Sequence, residues 1–161
     1  MKTEPHLQAH PGILIGGQPT ATDLRNLAKG GLKTVIDLRG VTEPRGYDEK
    51  QAAEAERLTY HLIPVEGEFA PSAFDAVRRV LSSPEARPVL IHCASSNRAG
   101  AALIPYLILD EGRSPQEALA IAKSAGLRTA DFGHDALAYV ESAEGGGKRE
   151  PDLELDPTER N

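Results

Sequence analysis

Short apolar runs alternate with longer segments of mixed hydrophobic and polar residues along most of the chain. The runs KTVIDL, TYHLIPV and PVLIH are compact and apolar, which is typical of strands buried in a sheet. We predict strands at residues 12–17, 33–38, 59–65 and 88–92. We predict helices between them at residues 20–29, 48–58 and 72–81. This alternation predicts an α/β fold, with a mainly parallel sheet that helices cover on both faces.

The last part of the chain is predicted to be helical and to end in a charged tail. A buried apolar helix is expected at residues 99–111, and a final helix at residues 130–143. Between them, Ser114, Pro115 and Glu117 form a capping pattern that opens another helix. From Gly145 onward Gly, Pro and charged residues dominate. We therefore predict one domain over residues 1–144 and a disordered tail over residues 145–161.

Composition and charge narrow the range of partners. The 161 residues suit one domain, and only 4% of them are aromatic, with no Trp. Few aromatic rings and a net charge of −6 argue against affinity for nucleic acid or anionic membranes. Residues 1–11 are polar, and the longest apolar stretch, 99–109, is too short to span a bilayer. We expect a cytoplasmic protein without a nucleic-acid or membrane partner.

The single cysteine, Cys93, directs attention to one loop. One cysteine excludes an internal disulfide and a cysteine-rich zinc site, which leaves packing or chemistry as its role. Cys93 directly follows the predicted strand 88–92, at the edge of the sheet where parallel α/β folds bind ligands. The position therefore favours chemistry.

The residues after Cys93 have the composition of an anion-binding loop. Small residues there allow consecutive backbone N–H groups to point into one concavity, and the dipole of the following helix adds positive charge. Arg98 offers a planar fork suited to two phosphate oxygens. Both features favour the thiolate form of Cys93. We predict a nucleophile at the floor of a cradle formed by the amides of Ala94, Ser95, Ser96, Asn97 and Arg98.

Three segments resemble a known family. GGQPTATDL, TVIDLRG and HCASSNRAGA are similar to a bacterial family of dual-specificity-phosphatase-like domains, within the cysteine-dependent protein tyrosine phosphatases. Members of that family occur alone or fused to β-lactamase-like hydrolases. The resemblance covers residues 12–143 and implies a four- or five-stranded sheet flanked by helices. It further implies that Cys93 forms a thiophosphate intermediate, that Arg98 clamps the phosphate, and that no cofactor is required.

The loop departs from the general phosphatase motif in three ways. Four residues separate Cys93 from Arg98, where the general motif has five. Ala99 replaces the hydroxyl residue that assists departure of the thiolate, and Ser96 replaces a glycine that adopts positive φ. The bacterial family shares the first two departures. The short loop also resembles that of rhodanese-type sulfurtransferases, so a Cys93 persulfide carrier is an alternative. A phosphate-binding module without turnover is a third possibility.

Further side chains are candidates for supporting roles. Glu66 or Glu68, after the third predicted strand, is a candidate general acid, although both also suit a solvated turn. Arg39 is a candidate for attracting an anionic substrate, and Asp37 for holding a neighbouring loop. His92 is expected to bond the loop and tune Cys93. No set of residues has the spacing of a metal site. The expected partner is a phosphorylated protein or small molecule.

Overall fold

Five strands form one sheet in the computed structural model, which describes residues 7–145. Its strands are β1 (Leu7–His10), β2 (Ile13–Gly16), β3 (Thr34–Asp37), β4 (Thr59–Leu62) and β5 (Val89–His92). They lie in the order β1-β2-β5-β3-β4, and all neighbours pair in parallel except β1 and β2. This arrangement confirms the predicted α/β class and the mainly parallel sheet.

Six α-helices connect and cover the strands in the described range. They are α1 (Ala21–Lys29), α2 (Glu49–Ala55), α3 (Pro71–Leu81), α4 (Asn97–Pro105), α5 (Pro115–Ala125) and α6 (Ala130–Gly145). Capping boxes at Thr20 and Ser114 open α1 and α5, because each cap side chain accepts a backbone N–H three residues on. None of these helices is long and apolar enough to cross a membrane.

Two separate apolar clusters pack against opposite faces of the sheet. Leu90 belongs to the cluster beneath α1 and α2, and Ile91 to the larger cluster formed with α3, α4, α5 and α6. Successive residues of a strand point to opposite faces, so both faces of β5 are buried. This explains why the sequence of this strand is continuously apolar.

The carboxyl ends of β2, β3 and β5 lie side by side at one edge of the sheet. Gly16 of β2 and Asp37 of β3 both pair with His92, the last residue of the central strand β5. Cys93 follows directly, so it leaves the sheet between its neighbours rather than at an outer edge. The topology therefore places Cys93 where the loops after β2, β3 and β5 converge.

The structure differs from the sequence-based expectation at two elements. β1 was not predicted, because this edge strand is short and its pairing with β2 is irregular between Gln8 and His10. The helix expected at residues 99–111 begins at Asn97 and continues as one π-helical segment at Tyr106–Asp110. Pro105 lies at the junction and has no N–H to donate to the helix. The predicted tail lies outside the described residues except for Gly145, which ends α6.

A buried charge network links β3, β5 and α2 beneath the strand ends. We define it as Asp37, Arg39, Glu49 and His92, each at most 1% exposed, with Arg45 at its edge. Arg39 donates to both carboxylate oxygens of Asp37 at 3.0 and 3.2 Å. Arg39 also donates to Glu49 at 2.6 Å, and the other oxygen of Glu49 lies 2.5 Å from His92 Nε2.

Asp37 is the most heavily bonded carboxylate of this network. Arg45 Nε and the Tyr60 hydroxyl donate to its Oδ2 at 2.9 and 2.5 Å. Burial raises the pKa of Asp37, but its bonds with Arg39 and Tyr60 and the charge of His92 together hold the pKa well below its ordinary value of 3.8. Asp37 is therefore ionised at neutral pH and stabilises the fold in that form.

We expect Asp37→Asn to reduce the free energy of unfolding by about 3–5 kcal/mol at neutral pH, because it leaves buried positive charge without its partner. The pKa of Asp37 is lower in the folded protein than in the unfolded chain. This stabilisation is therefore fully present above the unfolded-state pKa and is lost as the pH falls through the folded-state pKa. The deficit should therefore shrink in acid. Urea denaturation at a series of pH values measures it, with the exposed Asp131→Asn as control. Equal losses in the two variants would contradict the assignment.

A second prediction concerns two helical glycines. A Cβ on Gly100 would lie 2.9 Å from the Ala122 carbonyl oxygen. Among the described residues, a Cβ on Gly133 would meet the Leu127 and Leu119 side chains at 3.7 and 3.9 Å, which is ordinary contact. Gly100→Ala should destabilise the protein by about 1–3 kcal/mol, since backbone cannot move aside locally. Gly133→Ala should stabilise it by about 0.5–1 kcal/mol through helix propensity. Thermal unfolding compares the pair, and a stabilising Gly100→Ala would refute the close approach of α4 and α5.

Candidate active site

The cradle loop, residues 93–98, joins β5 to α4. Cys93 is 1% exposed and its N–H is directed at the Gly16 carbonyl at 3.4 Å. Ser95 forms an isolated bridge with Gly17, which ties the loop to the chain after β2. Ser96 then turns the chain in the left-handed conformation, at φ 77°, immediately before the helix begins. The loop thus leaves the strand and enters the helix within four residues.

Ser96 has the positive φ that the resemblance implies for the glycine it replaces. A non-glycine residue in this region costs of order 1 kcal/mol, so surrounding contacts must maintain the turn. One such contact is with Gly126, after α5, where an added Cβ would lie 2.5 Å from the Ser96 Cβ. The segment after α5 therefore packs directly on the turn.

The first turn of α4 supplies donors to the loop. Asn97 and Arg98 are its first two residues, and N–H groups in a first turn have no carbonyl partner within the helix. Such a helix start attracts anions through these donors and through the helix dipole. The backbone of the loop can therefore hold an oxyanion above Cys93.

The Asn97 side chain is engaged with the protein rather than with the cradle. Its Oδ1 accepts the N–H groups of Arg128 and Thr129 at 2.7 and 3.1 Å, and its Nδ2 donates to Thr129 Oγ1 at 2.7 Å. The predicted anion contact of Asn97 is therefore assigned to its backbone N–H. The side chain instead fixes the segment between α5 and α6 beside the loop.

Arg98 forms a paired contact with Glu43, a residue that sequence reasoning missed. Its two terminal nitrogens donate to the two Glu43 oxygens at 2.9 and 2.8 Å, and one also donates to the Val65 carbonyl at 3.1 Å. The bond from Arg98 lowers the pKa of Glu43 to about 2, so Glu43 is an anion at neutral pH. Glu43 lies in a loop with no periodic pattern, which explains why no signal marked it.

The Cys93 sulfur lies next to the Arg98 guanidinium. The bond to Glu43 and the neighbouring Cys93 sulfur raise the pKa of Arg98, against the opposing effect of burial. The guanidinium is therefore a permanent cation beside the sulfur. Its orientation is set by Glu43 and the Val65 carbonyl before any substrate arrives.

His92 contacts an acceptor oxygen with each ring nitrogen. Nε2 lies 2.5 Å from Glu49 Oε2, and Nδ1 lies 3.3 Å from the Cys93 carbonyl oxygen. A neutral imidazole carries one N–H and can satisfy only one of these acceptors, whereas an imidazolium satisfies both. The two contacts tie the end of β5 to α2 and to the start of the cradle loop. Glu49 was not identified from sequence, because it reads as an ordinary acid in a helix.

Arg39 is buried, contrary to its expected role in attracting substrate. The side chain is 1% exposed and bonded to Asp37, Glu49 and the Pro44 carbonyl. Arg39 lies two residues after the end of β3, and a buried cation there needs carboxylate partners to offset its desolvation. Arg39 holds the network together and does not face solvent.

The two candidate acids lie in different surroundings. Glu66 Oε2 accepts the Val41 N–H at 2.8 Å, in the loop that also carries Glu43. Glu68 instead lines a cavity of about 510 Å³ between α3 and α6, with Phe69, Phe74 and Tyr139 among its other walls. Only Glu66 is thus placed on the side of Arg98, next to the Val65 carbonyl that Arg98 contacts.

Three potential metal ligands come together within the described residues. Asp37, Glu49 and His92 have ligand atoms within 4.8 Å of one another. Arg39 and Arg45 already provide the positive charge beside these carboxylates, and His92 contacts Glu49 directly. The arrangement is an ion-pair network and gives no support to a bound cation.

Known structures share this fold. A putative phosphatase (DUF442) from Shewanella putrefaciens superposes with a TM-score of 0.71 at 20% identity, covering 86% of this chain and 91% of that one. Tk-PTP in its active form gives 0.72 at 19% identity, covering 83% and 95%. TpbA of P. aeruginosa, in complex with pTyr, gives 0.64 at 21% identity, covering 90% and 92%. At these identities the likeness establishes the fold alone.

Sequence relatives point to the same group. Beta-lactamase hydrolase-like proteins of Xylella fastidiosa and Agrobacterium fabrum are each 34% identical over 92 residues, or 54% of this chain. The match covers 21% of those proteins, so it spans about a fifth of their length. Residues 5–138 match the family model described as DSP-PTPase phosphatase fused to NAD+ kinase. This match covers most of the chain and confirms the resemblance seen in its motifs, so the chain belongs to that family of dual-specificity and tyrosine phosphatases.

Proposed function

We propose that the protein is a cysteine-dependent phosphatase that hydrolyses phosphomonoesters through a thiophosphate on Cys93. The observation that carries the proposal is the position of the Cys93 sulfur, beside a fixed Arg98 and before the N–H groups that open α4. Membership of a phosphatase family supports the reaction class. The proposed reaction uses no cofactor.

The chemistry is a two-step displacement. The Cys93 thiolate attacks phosphorus, an S–P bond forms, and the ester P–O bond breaks with its electron pair leaving on the ester oxygen. Water then attacks the thiophosphate, which releases inorganic phosphate and restores the thiolate. Arg98 and the loop amides stabilise the charge on the non-bridging oxygens in both steps.

The charge network supplies a reason for thiolate formation. With His92 as imidazolium, three cations, His92, Arg39 and Arg45, face two anions, Asp37 and Glu49. The network then carries one excess positive charge, next to Cys93. A thiolate balances that charge, whereas a neutral thiol leaves it buried and uncompensated.

The leaving group receives little help from the predicted acids. Glu66 Oε2 is already engaged by the Val41 N–H, and Glu68 faces the cavity between α3 and α6. We therefore propose that the enzyme prefers esters whose leaving oxygen needs little protonation, such as aryl phosphates. Phosphotyrosine and 4-nitrophenyl phosphate belong to this class.

Cys93→Ser and Arg98→Lys test the proposal. The wild type should hydrolyse 4-nitrophenyl phosphate in the presence of a chelator, with inhibition by vanadate. Cys93→Ser should reduce kcat by more than about a thousandfold, since it removes the nucleophile. Arg98→Lys should also be severely impaired, because an ammonium cannot reproduce the planar fork. Arg79→Lys makes the same change on an exposed part of α3 and should be silent.

Specific outcomes would overturn the proposal. Turnover that survives Cys93→Ser would exclude a thiophosphate on this residue. Mass spectrometry that shows one added sulfur on Cys93 after thiosulfate treatment, without phosphatase activity, would favour the persulfide carrier. Tight vanadate binding with no turnover would favour the phosphate-binding module.

Glu49→Gln tests the activation of the thiol. In the proposed charge balance, loss of the carboxylate removes the partner of the His92 cation, and the ring becomes neutral. Arg39 and Arg45 then still exceed Asp37 by one positive charge, but the residue that precedes Cys93 no longer carries one. The acid limb of the kcat/KM profile should move to higher pH by about one unit. Glu56→Gln, which removes a partly exposed partner of Arg25 far from the network, should leave the limb in place.

The ultraviolet absorbance of the thiolate provides a second readout. Because Cys93 is the only cysteine, subtracting the Cys93→Ser spectrum isolates its titration. A shift in Glu49→Gln that matches the kinetic limb would support the charge balance. A Glu49→Gln protein that is folded and has an unchanged titration would contradict it.

A further inference from the structure

The segment between α5 and α6 places a second guanidinium beside the cradle loop. Arg128 Nη2 donates to Ser95 Oγ at 2.8 Å, and Nη1 is directed at the Ser95 and Gly126 carbonyl oxygens at 3.4 and 3.1 Å. Ser95 belongs to the cradle itself. Arg128 is exposed, so its guanidinium is accessible to a molecule bound over the loop.

The position of Arg128 is fixed from its backbone as well. Asn97, in the first turn of α4, accepts the Arg128 N–H at 2.7 Å and holds the next residue, Thr129, through two further bonds. Gly126 packs against Ser96 at a distance that admits no side chain. A charged group held in this way loses little conformational freedom when it binds a ligand.

The charge of Arg128 differs from that of the other site arginines. Arg98 is paired with Glu43, and Arg39 and Arg45 are paired with Asp37. No carboxylate in the described chain lies at ion-pair distance from Arg128, and its Nε–H makes no hydrogen bond to any described residue. Arg128 is therefore the cation at the rim of the cradle whose charge remains uncompensated by a carboxylate.

We propose that Arg128 forms a second anion subsite, and that the preferred substrates are small phosphomonoesters carrying a second phosphoryl group. This inference rests on the proposed function of the cradle. One phosphoryl group occupies the loop above Cys93 while the other pairs with the Arg128 guanidinium. The guanidinium touches a cradle residue, so the two anion positions lie close together. A compact molecule spans that separation, whereas a second charged side chain of a peptide reaches further.

Matched substrate pairs test the inference. 1,4-Phenylene bisphosphate is compared with 4-hydroxyphenyl phosphate, and 1,3-phenylene bisphosphate with 3-hydroxyphenyl phosphate, so that every substrate is a compact aryl ester. The wild type should favour the bisphosphate of at least one pair in kcat/KM. Arg128→Gln should lower that preference by about tenfold or more, the size expected for hydrogen bonds to a charged group. Arg128→Lys, which keeps the charge, should retain part of it.

Two comparisons separate the possible results. Arg79→Gln removes an exposed arginine of α3 and should leave the ratio unchanged. A wild type that hydrolyses 4-nitrophenyl phosphate but shows no bisphosphate preference in either pair overturns the second subsite and leaves the proposed function standing. The second subsite is also overturned if Arg128→Gln slows only the hydrolysis of phosphotyrosine peptides with acidic neighbours. That result would assign Arg128 to peptide recognition.

Measuring substrate binding to the Cys93→Ser variant distinguishes failure of the second-subsite proposal from failure of the proposed catalysis. If the wild type hydrolyses no phosphomonoester, the proposed reaction fails. Calorimetry of both substrate pairs with Cys93→Ser, with and without Arg128→Gln, still measures the contribution of Arg128 to affinity. Equal affinities for mono- and bisphosphates there would overturn the subsite independently of turnover.

Discussion

The carboxylate of Glu49 lies between the side chains of Arg39 and His92, and through them joins α2 to the ends of β3 and β5. All three side chains are at most 1% exposed, so none can exchange its partner for water. Ion pairs of this kind contribute little net stability, yet breaking one is costly because it strands a buried charge. The strand ends beside Cys93 are therefore held in one arrangement, and the cradle loop starts from a rigid base.

The electrostatics of the site are local. The chain as a whole is acidic, with a net charge of −6, and this does not prevent an anion site. Positive charge is concentrated in the network, in the first turn of α4 and in Arg98 and Arg128, while Glu43 limits the excess at Arg98. In the proposed mechanism, the charge next to Cys93 favours the thiolate at the floor of the site, and the proposed Arg128 subsite favours double anions at its rim. These two properties depend on different residues, so they can be separated experimentally.

Loop geometry depends on close packing as much as on charge. Ser96 adopts a conformation that favours glycine, and Gly126 makes room for its side chain. Gly100 brings α4 against the end of α5, so the segment that carries Arg128 reaches the cradle. The shorter loop between Cys93 and Arg98 is thus accommodated by neighbouring segments. The packing of α4 against the end of α5 therefore determines both the conformation of the loop and the position of Arg128.

The sequence by itself determined the α/β class, the locations of four of the five strands and the place of Cys93 and Arg98 at a strand-to-helix loop. These features arise from periodicity and local turn chemistry, which neighbouring residues encode. The edge strand β1, the burial of Arg39 and the roles of Glu43, Glu49 and Arg128 emerged only from the tertiary structure. Glu43 and Arg98 are 55 residues apart, Glu49 and His92 are 43 apart, and Ser95 and Arg128 are 33 apart. Partners at such separations leave no local pattern, because only the packing of the sheet and helices brings their charges together.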